Sequence, residues 1–143
     1  IDEQHADTYI KVNHKAAHSY SHQLYKSLLD DKSKSIFTGC VDVDRQAQNI
    51  DAKQLNKNLL LSAKAHAFSR PQMEINADDV KCAHGSTTGQ MSDDEIFYFE
   101  SRGISKERAQ KILSKAFLND VLLKVENLPL RKYLMSNVYS EEK

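Results

Sequence analysis

No excess of either charge is present: twenty basic residues face twenty acidic ones, for a formal net charge of +0. Holding nucleic acid or an anionic membrane surface through a global field needs such an excess, so neither partner is expected. Long apolar runs are also missing. The longest falls short of the ~20 residues a membrane-spanning helix requires, and the opening IDEQHADTYI has no basic stretch followed by an apolar one. A soluble, cytoplasmic protein is expected. Cysteine is scarce, with only Cys40 and Cys82 in 143 residues, a length that does not depend on disulfide staples. Free thiols in a reducing compartment follow. Enough apolar residues remain, at 40%, for one ordinary domain, alone or with a small appendage. The chain starts at Ile, and strand-like sequence follows almost at once, which suggests a piece of something longer.

What is present changes period along the chain. From Ser35 to about Ala83 the pattern alternates: Phe37, Gly39, Val41 and Val43 fall on one side of SIFTGCVDV and Ile36, Thr38, Cys40 and Asp42 on the other. NLLLSAKAHAF reads as a second such strand, with Leu59, Leu61, Ala63, Ala65 and Ala67 on one side, and PQMEINA as another through Met73 and Ile75. Four or so short strands are expected there, with TYIKVNH as one more upstream and HSYSHQLYKSLLDDKS as a short helical turn around Leu24 and Leu28. The connecting stretches DRQAQNIDAKQLNKN and NADDV contain no two-residue hairpin turn such as Asn-Gly, which disfavours antiparallel pairing. Apolar strand starts return at nearly constant intervals, about 22 residues from Phe37 to Leu59 and about 21 from Leu59 to Val80, which suggests the coils of a parallel β-helix. In such a stack Gln54, Asn56 and Asn58 are expected at equivalent corners, hydrogen-bonded from coil to coil.

After Gln90 the period becomes helical. Ser92 followed by Glu95 has the form of a capping box for a helix over Asp93–Arg102, and Gly103 suits a left-handed C-cap. Ser105 caps a second helix whose stripe is Ala109, Ile112, Leu113, Ala116, Phe117 and Val121, and Pro129 suits the first turn of a third. The stripe and the aromatics Phe97, Tyr98 and Phe99 exceed what three short helices can bury, so part of them is expected to form a docking surface.

The chemical candidates centre on Cys82 and His84, two positions apart, which an extended strand turns to one face. A zinc site within one chain would need more donors; no second paired cluster is present, and His14 and His18 stand apart. A Cys/His nucleophile would need an oxyanion hole and a third group, for which Asp78 or Asp79 is available, but no nucleophile-elbow signature accompanies it. GSTTG lacks the Lys-Ser/Thr ending of a phosphate loop and reads as a strand-to-helix turn. His66 and His5 read as solvated residues.

The stretch VKCAHGSTTGQMSDDEIFYFESRGISKERAQKILSKAFLNDVL, with QLNKNLLLS and PQMEI upstream, resembles the C-terminal part of the SufB/SufD family of iron–sulfur cluster assembly scaffolds. Its Cys-x-His-Gly resembles the SufD branch. The resemblance implies the C-terminal coils of a right-handed parallel β-helix over residues 1–90 and a small helical domain over 91–143 that docks the ATPase SufC. It implies pairing through the terminal strands with SufB or with a second SufD copy. His84 would then join a transient iron–sulfur cluster at that interface, beside a cysteine of the partner, with Cys82 as a further candidate. No catalytic residue and no stably bound cofactor are implied, and Ser101, Arg102, Gly103 and Ile104 are the expected ATPase contact. The alternatives are an interaction solenoid with no cluster role and, more remotely, a thiol-dependent hydrolase.

Overall fold

A computed structural model of the chain describes residues 2–139. The fold divides into two compact units, one ending at Gln90 and one beginning at Met91.

The first unit is built from six strands: β1 (His5–His14), β2 (Tyr20–Leu29), β3 (Lys34–Val43), β4 (Ile50–Leu60), β5 (His66–Ile75) and β6 (Val80–Gln90). Odd strands form one sheet in the order β1-β3-β5 and even strands another in the order β2-β4-β6. Every pairing is parallel. The chain therefore alternates between sheets, and each pair of consecutive strands completes one coil of a β-helix. Lys34 lies against His5 and His66 against Lys34, steps of 29 and 32 residues. The parallel stacking agrees with the sequence-based expectation, but the interval read from the sequence does not measure a coil.

Corners between strands need backbone that turns sharply, and three are marked by left-handed residues: His18 and Asn49 at φ 59 and Asp31 at φ 52. Asparagine and aspartate tolerate this region because their short polar side chains bond locally. One corner stacks from coil to coil. Asn49 Nδ2 lies 3.0 Å from His18 Nδ1, the Asn49 N–H donates to the Asp79 carbonyl at 2.7 Å, and the Asp79 N–H donates to Gln48 Oε1 at 2.9 Å.

The apolar core lies between the two sheets: Val41, Val43, Ala47, Ile50, Ala52 and Ala77, with Met73, Val80 and Cys82 packed against it. Each fully buried Val or Ile contributes roughly 1.5–3 kcal/mol. Further along the same strands the interior turns polar. Gln54, Asn56 and Asn58 are buried mid-strand in β4.

Several sequence-based expectations fail here for physical reasons. Leu24 and Leu28 are four apart, a spacing that fits a helical face and one face of a strand equally, and the chain forms β2. The stretch read as an amide-rich loop contains β4, because its inward positions carry amides where apolar residues were sought. Gln54, Asn56 and Asn58 thus sit inside the stack and not at its corners, where Asn49 does that work. NLLLSAKAHAF is two strands: β4 ends at Leu60, the chain turns, and β5 begins at His66. GSTTG belongs to β6 and forms no turn. Ile75 is exposed, at the end of β5.

The second unit contains α1 (Asp93–Glu100), α2 (Lys106–Leu122) and α3 (Leu128–Tyr139). Ser92 is the N-cap of α1, but its side chain makes no capping bond, so the capping box is absent; Asp93, Asp94 and Glu95 instead place negative charge at the positive end of the helix. The helix ends at Glu100, short of the expected Arg102, in a Schellman arrangement: Ile104 N–H donates to the Phe99 carbonyl at 3.2 Å and Gly103 N–H to that of Glu100 at 2.9 Å, with Gly103 at φ 78. Ser105 caps α2 by accepting from the Arg108 N–H, and Pro129 lies in the first turn of α3, both as expected. Of the expected stripe, Ala109 is buried while Ile112 and Ala116 are exposed; Leu122 is buried as well.

Candidate functional site

The candidate site is built on β6, an edge strand of the even sheet. Its register against β4 pairs Ala52 with Cys82, Gln54 with His84, Asn56 with Ser86 and Asn58 with Thr88. Ala52, Gln54 and Asn56 are buried between the sheets. Paired residues of a parallel sheet share a face, so Cys82, His84 and Ser86 project to that same inner side. The expectation that thiol and imidazole share a face is met.

Their surroundings differ. Cys82 is half-buried against the apolar core, whereas His84 is exposed. Burial pushes the Cys82 thiol pKa up; the Ala52 backbone pulls it the other way, and the Asp51 carboxylate adds to the rise. A thiol held protonated is a poor nucleophile and becomes a ligand only when a metal displaces its proton. Both cysteines are free, and Cys40 is buried on β3. Asp78 and Asp79 make no hydrogen bond to Cys82 or His84 among the described residues, so no orienting carboxylate completes a nucleophilic set. No group of three or more His, Cys, Asp or Glu able to hold a metal ion occurs among the described residues. Cys82 and His84 offer one soft sulfur and one imidazole nitrogen, a donor pair suited to iron but incomplete alone.

One further residue belongs to this site. Gln54 is 1% exposed and donates from Nε2 to Gln23 Oε1 at 3.2 Å, while its own Oε1 has no partner. Gly39 of β3 gives the amide its berth: a Cβ there would come within 2.5 Å of Gln54 Nε2 and 2.7 Å of its Oε1. The signal available in the sequence was the alternation of Gln54, Asn56 and Asn58, which has the period of a strand face although none of the three is apolar.

The other candidates lie elsewhere. His14 is buried at the end of β1, with its ring nitrogens 2.7 Å from Ser19 Oγ and 2.8 Å from Ser21 Oγ, and His18 occupies the stacked corner. Both are structural. Ser101, Arg102, Gly103 and Ile104 form the turn between α1 and α2. There Ser101 Oγ donates to the Tyr98 carbonyl at 2.8 Å, and the Arg102 guanidinium lies 3.6 Å from the centre of the Tyr98 ring. Phe97 and Tyr98 are exposed, Phe99 half-buried. No helix among the described residues is long and apolar enough to cross a membrane.

The family model described as SUF system FeS cluster assembly, SufBD core domain, matches residues 1–117. The chain belongs to the SufBD family. It is 35% identical over 132 residues to the iron–sulfur cluster assembly protein SufD of Escherichia coli, covering 92% of this chain and 31% of that protein. An iron–sulfur cluster assembly SufBD family protein of Synechocystis is 40% identical over 129 residues, 89% of this chain and 27% of that one. Protein ABCI7, chloroplastic, of Arabidopsis thaliana is 35% identical over 139 residues, 96% of this chain and 29% of its own length. The chain thus spans about a third or less of the length of these three relatives.

Proposed function

We propose that the chain is the C-terminal part of a non-catalytic scaffold subunit on which iron–sulfur clusters are assembled, and that β6 contributes half of the assembly site. His84 would supply an imidazole nitrogen to the nascent cluster, Cys82 a nearby thiol, and a second scaffold subunit, SufB or another copy of a SufD-like chain, the remaining donors. The cluster is cargo, held transiently. One observation carries this reading: on β4 the inward position is sealed at Gln54, while its register partner on β6, His84, stands exposed. A donor presented at an open rung, with too few companions among the described residues to bind metal, is what a shared site requires.

The helical unit would dock the ATPase SufC through the turn at Ser101, Arg102, Gly103 and Ile104. Support comes from the apolar surface flanking it, where Phe97 is 69% and Tyr98 55% exposed. ATP-driven movement of that partner would then reach the scaffold through the helices.

The test of the cluster site is His84→Ala in the assembled scaffold–ATPase complex, with cluster formation followed by its visible absorption. A strong loss of yield is expected. Unchanged yield would leave an interaction solenoid with no cluster role. For the docking turn, Arg102→Glu is expected to abolish pull-down of the ATPase, and retention at the wild-type level would contradict the assignment.

A further inference from the structure

We infer that Gln54 is the positioning residue for His84: its free amide oxygen accepts the N–H of one imidazole nitrogen and leaves the lone pair of the other turned outward from the open rung. The functional meaning of this bond rests on the half-site proposed above; the bond itself is tested on this chain alone.

Side chains in register on neighbouring parallel strands lie about 4.8 Å apart and stack. In such a column each amide donates to one neighbour and accepts from the other. Gln23, Gln54 and His84 form one column, on β2, β4 and β6. Its direction is set at the first rung, where Gln23 Oε1 accepts both from Gln54 Nε2 at 3.2 Å and from the Tyr25 hydroxyl at 3.3 Å. Gln54 therefore spends its nitrogen on Gln23, and its oxygen is the end left for the third rung. That oxygen is buried and without a partner. A buried carbonyl oxygen lacking a donor is costly, and the third-rung residue in register carries a ring N–H.

The same sheet already bridges these two strands further along. Asn58 Nδ2 donates to Oγ1 of its register partner Thr88 at 3.2 Å. Asn56 repeats the incomplete pattern: its Nδ2 donates to Ser69 Oγ at 3.0 Å, its Oδ1 has no partner, and the residue in register is the hydroxyl donor Ser86. Gly39 then explains how the Gln54 amide fits between the sheets. A Cβ at that position would collide with the amide, so the glycine is what lets the side chain occupy this place.

A neutral imidazole has one N–H and one lone pair, and the bond made by the first fixes where the second points. Metal-ligating histidines generally donate their other N–H to an oxygen acceptor for this reason. A glutamine does so without adding a charge beside the cluster.

The test is long-range 1H–15N correlation of the imidazole nitrogens in the uniformly 15N-histidine-labelled chain, with His84 assigned by the signals lost in His84→Ala. Expected are two widely separated His84 nitrogen shifts, the mark of a single tautomer, collapsing toward the averaged values of free imidazole in Gln54→Leu. Gly39→Ala should produce the same collapse by displacing the amide, a response that a merely local packing role would not give. Circular dichroism checks that each variant folds; should Gln54→Leu not fold, Gln54→Met takes its place, and the wild-type spectrum decides by itself. Averaged shifts in the wild type, or separated shifts that persist in a folded Gln54 variant, overturn the inference. In either case the cluster yield of His84→Ala tests the half-site separately.

Discussion

The middle and last coils share a backbone and a register yet live in different solvents. On the middle coil Val41, Val43, Ala52 and Gln54 are all at or below 1% exposed. Their register partners on the last coil are half-buried Met73, exposed Ile75, half-buried Cys82 and exposed His84. Strand geometry decides which way a side chain points; only the presence of another coil decides whether it is buried. An interior-facing position at the end of a stack is therefore available to a partner without any change of fold.

The sharpest way to break the comparison is to truncate an inward side chain on each coil. Ile50→Ala should cost about 2–5 kcal/mol in urea denaturation, while Val80→Ala, its half-buried register partner, should cost about 1 kcal/mol. Equal losses would mean that the last coil is sealed after all. Adding volume gives the next effect. Gly39→Ala should destabilise by about 1–3 kcal/mol because the new methyl meets the Gln54 amide. Gly89→Ala on β6, where a Cβ would meet nothing within 4 Å, should stay within about 0.5 kcal/mol.

Thiol chemistry sharpens the contrast further. Cys40 is buried and should alkylate only through unfolding, whereas Cys82 should react in the folded chain. Burial favours the neutral form of Cys82, so its rate-against-pH curve should lie to the high-pH side of an unstructured thiol. Because the folded pKa is the higher one, the thiol's contribution to stability is fully present below the unfolded pKa and is lost as pH rises through the folded one. Fast alkylation at neutral pH, in place of this lag, would point to an activated thiolate. The effect on folding itself at the site is small. His84→Ala should shift stability by only about 1 kcal/mol, the cost of leaving the buried Gln54 amide oxygen without a donor, since the ring itself is exposed, which separates a lost cluster role from a lost fold.

How much of this was legible in the sequence depended on what faced inward. β3 was readable because Phe37, Val41 and Val43 are apolar and alternate. β4 was not, because half of its inner face is amide, and a search for apolar period passes over buried Gln and Asn. β2 was lost to an ambiguity of spacing, since leucines four apart satisfy both periods. The absence of hairpin turns still led to the correct parallel topology, though the interval was counted between unlike strands. Cys82 and His84 were legible as a pair on one face from their spacing alone. Gln54 as their neighbour was not, because it is 30 residues from His84 and meets it only through the register of a coil.

The central claim, that the last coil is open and waiting for a partner, is tested most directly by amide hydrogen exchange of β4 and β6 measured separately, with and without the second scaffold subunit. Strong protection is expected along β4 throughout, weak protection along β6 in the chain alone, and a gain confined to the last coil when the partner is added. Equal protection of the two strands in the isolated chain, or a β6 indifferent to the partner, would contradict it.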